Sequence, residues 1–244
     1  MTTAPPAAAP LPPATARWWA RMVGLATAIG VLAGLASAGF LATLDWATET
    51  RLTHPWLLWG LPFAGLLIGI AYHHRGKGSA AGNNLILDEI HEPRAWIPRR
   101  MAVLVYGGTI ATHLFGGSAG REGTAIQMAG SLADGLNRRL GIHGAERRVL
   151  LLASIAGGFG SVFGVPVAGF AFGLEVQPVR GLRWRALPLA VVASVVGNAT
   201  VHLTGVEHTP LAHVTSVDWS VGLVAKVALA GVACGLVSVA FAEG

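Results

Sequence analysis

Gly116-Gly117-Ser118-Ala119-Gly120-Arg121-Glu122-Gly123, followed by Thr124-Ala125-Ile126-Gln127-Met128, is the stretch on which the fold turns. Four glycines within eight residues let the backbone come close to a ligand and expose its amides. The residues that follow predict a helix starting near Glu122, whose positive end would point into the gap and form a ready anion site. Upstream, Met101–Gly120 carries no charged side chain, so the chain delivers Glu122 to membrane depth, where an ionisable group marks a functional site. A simple salt bridge between Arg121 and Glu122 is a poor account, because adjacent helical residues do not face each other. A charged Glu122 would fill the anion site, and a protonated one would vacate it.

The rest of the chain agrees with a membrane setting. Of 244 residues 53% are hydrophobic and only 12% charged, about half the charged share of a soluble domain, with a mean hydropathy of +0.58. Met22–Leu44 is a charge-free run of roughly 34 Å as a helix, enough to cross a bilayer. Pro55–Tyr72, Val149–Leu174 and Ala186–Val206 are further apolar runs, and Trp219–Ala242 is another, interrupted by Lys226. Residues 1–16, mostly Ala, Pro and Thr, read as a disordered tail. A signal peptide cut after Ala36-Ser37-Ala38 is a rival for the first run, but its leading region would be long and proline-rich, and the apolar pattern continues past the cut. The single cysteine, Cys234, excludes an internal disulfide framework and a cysteine-built zinc site.

Net charge is +5, yet the basic residues stand in short clusters between apolar runs, which sets orientation rather than binding nucleic acid. Placing these clusters in the cytoplasm leaves only Arg51, Arg121 and Lys226 of the 17 basic residues elsewhere. Residues 101–137 and 149–177 must then each leave the inner surface and return to it. Each leg has about 13 to 16 residues, roughly 20–24 Å, too short for a full span. Glycine breaks both stretches, at Gly116-Gly117 to Gly123 and at Gly157-Gly158 to Gly164 with Pro166. Broken half-helices meeting inside the membrane are how transporters build midplane ion sites.

GREG after a glycine run, with Gln127 five residues after Glu122, resembles the signature of the CLC chloride channels and anion/proton antiporters. Gly164-Val-Pro-Val-Ala-Gly-Phe-Ala-Phe-Gly-Leu-Glu175 is similar to the later apolar helix of the same fold. The resemblance covers residues 18–242 and implies an all-α membrane protein, the first inverted repeat of a CLC-type fold with broken, re-entrant helices. It divides the chain into a tail (1–16), a first transmembrane repeat (17–206) and the start of a second (207–244), which looks truncated. It maps Glu122 onto the family's gating, proton-exchanging glutamate and assigns anion binding to Gly82, Asn83, Gly120, Arg121, Gly123 and Thr124.

Departures from the family pattern narrow the reading. Where the family usually has Gly-Ser-Gly-Ile-Pro, this chain has Gly82-Asn83-Asn84-Leu85-Ile86, so Asn83 replaces the anion-coordinating serine. Thr124 stands in place of the proline of GREGP, and Val176 where chloride/proton exchangers carry an inner glutamate. Together with Asp88-Glu89-Ile90-His91-Glu92-Pro93, this is similar to the fluoride-exporting branch. Fluoride holds water tightly, and an Asn amide offers two N–H donors where Ser offers one O–H. The resemblance thus implies fluoride/proton antiport in an inner (cell) membrane, multi-pass with a cytoplasmic N-terminus. Fluoride or chloride, protons, the lipid bilayer and a homodimeric copy are its partners, with no nucleic acid, cofactor or metal. A chloride channel or a chloride/proton exchanger of the same family is the alternative. An intramembrane enzyme lacks support, as neither GxSxG nor HExxH occurs.

Secondary candidates carry less. Glu175 is either a second proton site or a helix-end hydrogen-bonding group. Phe170 and Phe172 are two apart, so at most one faces a pore, with core packing the default for Phe172. Asp88, Glu89, His91 and Glu92 read as a solvated face rather than a metal cluster, and His73-His74 as interfacial.

Overall fold

The structure, a computed structural model, describes residues 11–176, 183–208 and 219–243. The first ten residues of the expected tail, Arg180 of the last basic cluster and the 209–218 stretch of the expected second repeat lie outside the described residues. The elements are α1 (Ala16–Thr53), a 3-10 turn (Pro55–Gly60), α2 (Leu61–Arg75), α3 (Asn83–His91), α4 (Arg100–Leu114), α5 (Arg121–Arg139), α6 (Gly144–Phe163), α7 (Pro166–Glu175), α8 (Arg183–Leu203) and α9 (Val221–Glu243). Among the described residues there is no strand, and the fold is all-helical as the sequence implied. The chain divides into two units, Met1–His208 and Thr209–Gly244; α9, a 23-residue apolar helix, belongs to the second.

Among the described residues, four segments are long and apolar enough to cross a membrane: Ala16–Thr53, Pro55–Arg75, Trp184–Leu203 and Val221–Glu243. α1 runs 38 residues, well beyond the charge-free stretch from Met22 to Leu44. Its N-terminus is set by Thr15, whose hydroxyl accepts from the Trp18 N–H at 3.2 Å. At the other end Asp45, Glu49 and Arg51 ride on the last turns, so the helix, roughly 57 Å long, outreaches a bilayer core of about 30 Å.

α6 lies at the centre of the first unit. Its residues from Val149 to Ala156 are all buried, on every face of the helix, the mark of a helix enclosed by its neighbours. α1, α5, α7 and α8 pack around it. Gly157 and Gly158, expected to break the chain, lie inside α6; the break comes only at Gly164, which is left-handed (φ 69°), followed by Val165 and Pro166 at the first turn of α7. The glycines serve close packing. A Cβ on Gly158 would lie 2.7 Å from the Ala125 carbonyl oxygen and 2.8 Å from the Ala129 Cβ, so α5 touches α6 backbone to backbone there.

A buried charge network fixes α3 to this core. Arg147, 0% exposed on the first turn of α6, donates to Asp134 Oδ1 at 2.6 Å and Oδ2 at 2.8 Å, to Glu89 Oε2 at 2.9 Å and to the Ala95 carbonyl at 2.8 Å. Glu89 also accepts the Ala95 N–H at 2.9 Å, and Asp134 the Ile97 N–H at 2.7 Å. Glu89 is therefore 3% exposed and ion-paired, which corrects its reading as part of a solvated face. Asp88, His91 and Glu92 remain exposed, as expected. A nine-residue helix is marginal alone, and α3 is held by Glu89 together with the buried Ile86 and Ile90.

Candidate functional site

Two helix N-termini converge in the first unit. α3 starts at Asn83 after Gly82, whose φ of 59° and ψ of −133° suit glycine. α5 starts at Arg121 after Gly120, one residue from the start expected near Glu122. The close approach of these helices is visible at Gly130, where a Cβ would lie 2.7 Å from Ile86 Cδ1.

Asn83 and Gly123 meet in this angle. A Cβ on Gly123 would lie 3.2 Å from Asn83 Nδ2 and 3.7 Å from Gln127 Nε2; one on Gly82 would lie 3.5 Å from Gln127 Nε2. Two side-chain amides and two glycine backbones thus share one small space. Asn83 Nδ2, the donor that an anion would use, lies nearer this space than Oδ1, an acceptor that is buried with no hydrogen-bond partner among the described residues. Gln127 was named in the sequence only as part of a motif; the signal for its place in the site was its position four residues after Gly123, on the same helix face.

Glu122 is exposed in the first turn of α5, and its side chain folds back toward the N-cap: Oε2 lies 2.9 Å from where a Cβ on Gly120 would be. Its carboxylate therefore sits over the positive end of its own helix. The first four N–H groups of a helix, counted from its N-cap, have no intrahelical acceptor, which leaves those of Gly120, Arg121, Glu122 and Gly123 to serve an anion. Thr124 offers neither of its donors, since its N–H makes the first intrahelical bond, to the Gly120 carbonyl. Its hydroxyl lies 2.8 Å from the Thr109 hydroxyl and donates to the Gly120 carbonyl at 3.1 Å. Arg121 is half-buried beside them.

The secondary candidates lie elsewhere. Phe172, on α7, stacks on Phe159 with ring centroids 4.5 Å apart and packs against the core. Glu175 closes α7 and is exposed, lining a cavity of about 360 Å³ with Trp184 and Leu187.

Residues 64–244 match the family model described as voltage gated chloride channel. Over 223 residues the chain is 48% identical to the chloride/fluoride channel protein of Pseudomonas syringae pv. tomato, covering 91% of this chain and 49% of that protein. It is 34% identical over 168 residues to the H(+)/Cl(-) exchange transporter ClcA of Cronobacter sakazakii, covering 62% of this chain and 35% of that one. The crystal structure of a CLC-type fluoride/proton antiporter superposes with a TM-score of 0.83 at 32% identity, covering 91% of this chain and 56% of that one. The chain spans about half the length of the curated relatives it matches. With an all-helical fold, broken half-helices and a match over most of its length, the chain belongs to the voltage gated chloride channel (CLC) family.

Proposed function

We propose that the chain forms the anion-handling part of a membrane transporter that exchanges fluoride for protons, with Glu122 as the gating and proton-carrying group. One observation carries the reading: the Nδ2 donor of Asn83 lies against Gly123 between two helix N-termini, with the Glu122 carboxylate folded over Gly120 at the same helix end. The ionised carboxylate occupies the positive end of α5. Protonation removes its charge and its hold there, and fluoride takes the place, received by the N–H groups of α5 and by the Asn83 amide. Fluoride enters from the side to which the proton is then lost, and the returning carboxylate expels it toward the side that supplied the proton, so the two move in opposite directions.

The similarity to a fluoride/proton antiporter and to a chloride/fluoride channel protein supports fluoride as the substrate. Chloride transport, by a channel or by exchange with protons, is the second reading, favoured by the likeness to an H(+)/Cl(-) exchange transporter. In the proposed assignment residues 17–206 are the first repeat and 207–244 open the second. The protein sits in the cell (inner) membrane with a cytoplasmic N-terminus and pairs as a homodimer. The test is a chimera in which this chain replaces the matching part of the Pseudomonas relative. Vesicles loaded with fluoride should take up protons as fluoride leaves; fluoride release without proton uptake would favour a channel, and chloride release of equal size would remove the fluoride assignment.

A further inference from the structure

Two features unrelated to Asn83 or Glu122 lie along the same pair of helices. The first is a cavity of about 830 Å³ where the end of α2, the start of α4 and the end of α5 come together. Its cationic lining is Lys77, Arg99, Arg100 and Arg138, all exposed. Asp134 is the one carboxylate among the described lining residues, and both its oxygens are taken by Arg147 and the Ile97 N–H. The cavity therefore carries an unbalanced positive charge. Two of its guanidinium groups are held in place by backbone carbonyls, Arg99 by Gly135 at 3.2 Å and Arg100 by Lys77 at 2.5 Å. Each carbonyl uses one of five N–H donors and leaves the rest free.

The second feature is an apolar groove of about 220 Å³ between α2 and α4, lined by Leu67, Ala71 and Tyr72 on one side and Val103, Gly107 and Gly108 on the other. Val103 lies within a turn of Arg100 on α4, so the groove begins about one helical turn from the basic cavity. Gly107 and Gly108 keep it open: among the described residues nothing lies within 4 Å of a Cβ built on Gly107, and on Gly108 the nearest atom is Ile68 Cγ2 at 3.7 Å.

We infer that the basic cavity and the α2–α4 groove together bind one anionic phospholipid, its phosphate among Lys77, Arg99, Arg100 and Arg138 and an acyl chain along the groove. Charge complementarity selects the occupant. Basic pockets between transmembrane helices on the cytoplasmic side suit anionic headgroups, and the adjoining groove offers an anion only apolar contact, which a free phosphate cannot use. The inference goes beyond anion transport, since it uses none of the residues assigned to the transported ion.

Native mass spectrometry of the purified 244-residue chain in detergent, supplied with phosphatidylglycerol or phosphatidylcholine, tests it. The chain should retain phosphatidylglycerol at least tenfold better than phosphatidylcholine. Lys77→Gln with Arg138→Gln, both exposed side chains, should cost about fivefold in retention per charge removed. Gly107→Leu should also release the lipid; it fills the groove from a position with open space, and replacing a helical glycine favours the helix. Equal retention of the two lipids overturns the inference, as does an unchanged double variant. If Gly107→Leu keeps phosphatidylglycerol while millimolar inorganic phosphate displaces it, the site is one for a soluble phosphate and the lipid is wrong.

Discussion

Between α4 and α5 the chain passes through Phe115–Gly120, six residues of which three are glycine; between α6 and α7 it passes through Gly164 and Val165 alone. Both interruptions are rich in nearby glycine, yet their polar groups meet different fates. Around the second, the Ser194 hydroxyl donates to the Pro166 carbonyl at 2.9 Å, a His208 ring nitrogen lies 2.8 Å from the Ser161 carbonyl, and the Val165 N–H reaches the Gly160 carbonyl at 3.2 Å. Around the first, the N–H groups from Gly120 to Gly123 have no intrahelical acceptor, and the Nδ2 donor of Asn83 lies against Gly123. The second break is closed by the protein for the sake of packing. The first leaves backbone donors at the start of α5 without an intrahelical acceptor, as the proposed anion site requires.

The largest expected effect tests the first break. Gln at position 122 keeps the shape of glutamate and can neither carry charge nor exchange a proton. In the chimera, Glu122→Gln should abolish fluoride-driven proton movement, with fluoride flux either stopped by the neutral side chain or running uncoupled. Proton uptake and fluoride release are recorded together from fluoride-loaded vesicles. Proton uptake at the parent ratio would remove Glu122 from the mechanism and leave the two breaks alike.

The second break answers to packing. A Cβ on Gly169 would lie 2.7 Å from Gly160 Cα and 2.8 Å from the Ala156 carbonyl oxygen, both backbone atoms with nowhere to go. Gly169→Val should cost on the order of 3 kcal/mol and show as a lost yield of monodisperse protein and a lowered thermal midpoint. A normal midpoint would mean that α6 and α7 separate more easily than their contact implies.

This difference was only half legible in the sequence. Charge-free runs and basic clusters placed the helices, and the glycine run with Arg121-Glu122 placed the start of α5 within a residue, because those signals are local. Gly157 and Gly158 misled: a glycine that exposes backbone and one that admits a neighbouring helix look the same until the neighbour, here Ala125 and Ala129 for Gly158, is known. Glu89 misled for a related reason. It stands among Asp88, His91 and Glu92, and only its partner 58 residues away, Arg147, takes it out of water. Asp134, alone among the small and apolar residues of mid-α5, was the available hint that a buried cation had to exist.

A smaller effect probes what the first break recognises. Asn83→Ser in the chimera replaces two N–H donors by one O–H and should lower the fluoride-to-chloride transport ratio about tenfold, the weight of one hydrogen bond to a charged group. The ratio is read from parallel efflux of the two halides. An unchanged ratio would leave Asn83 as a structural residue of α3 and move selectivity to the backbone amides.

The smallest effects come from one substitution made at both breaks. Gly164 has φ of 69°, and a Cβ there would lie 2.9 Å from His208 Nδ1. Gly164→Ala should therefore cost about 1–2 kcal/mol in backbone strain, lowering the thermal midpoint by a few degrees, with the ratio of protons to fluoride untouched. Gly123 is helical, and its Cβ would meet the Asn83 amide at 3.2 Å, close enough that this side chain must yield by a few tenths of an ångström. Alanine is the better helix former by about 1 kcal/mol, so Gly123→Ala should hold or raise the midpoint while slowing fluoride efflux. Opposite responses to the same added methyl group, stability at one break and transport at the other, are what a packed joint and an open site require. If both variants lose stability and keep transport, the start of α5 is only a second packing joint, and the anion passes elsewhere.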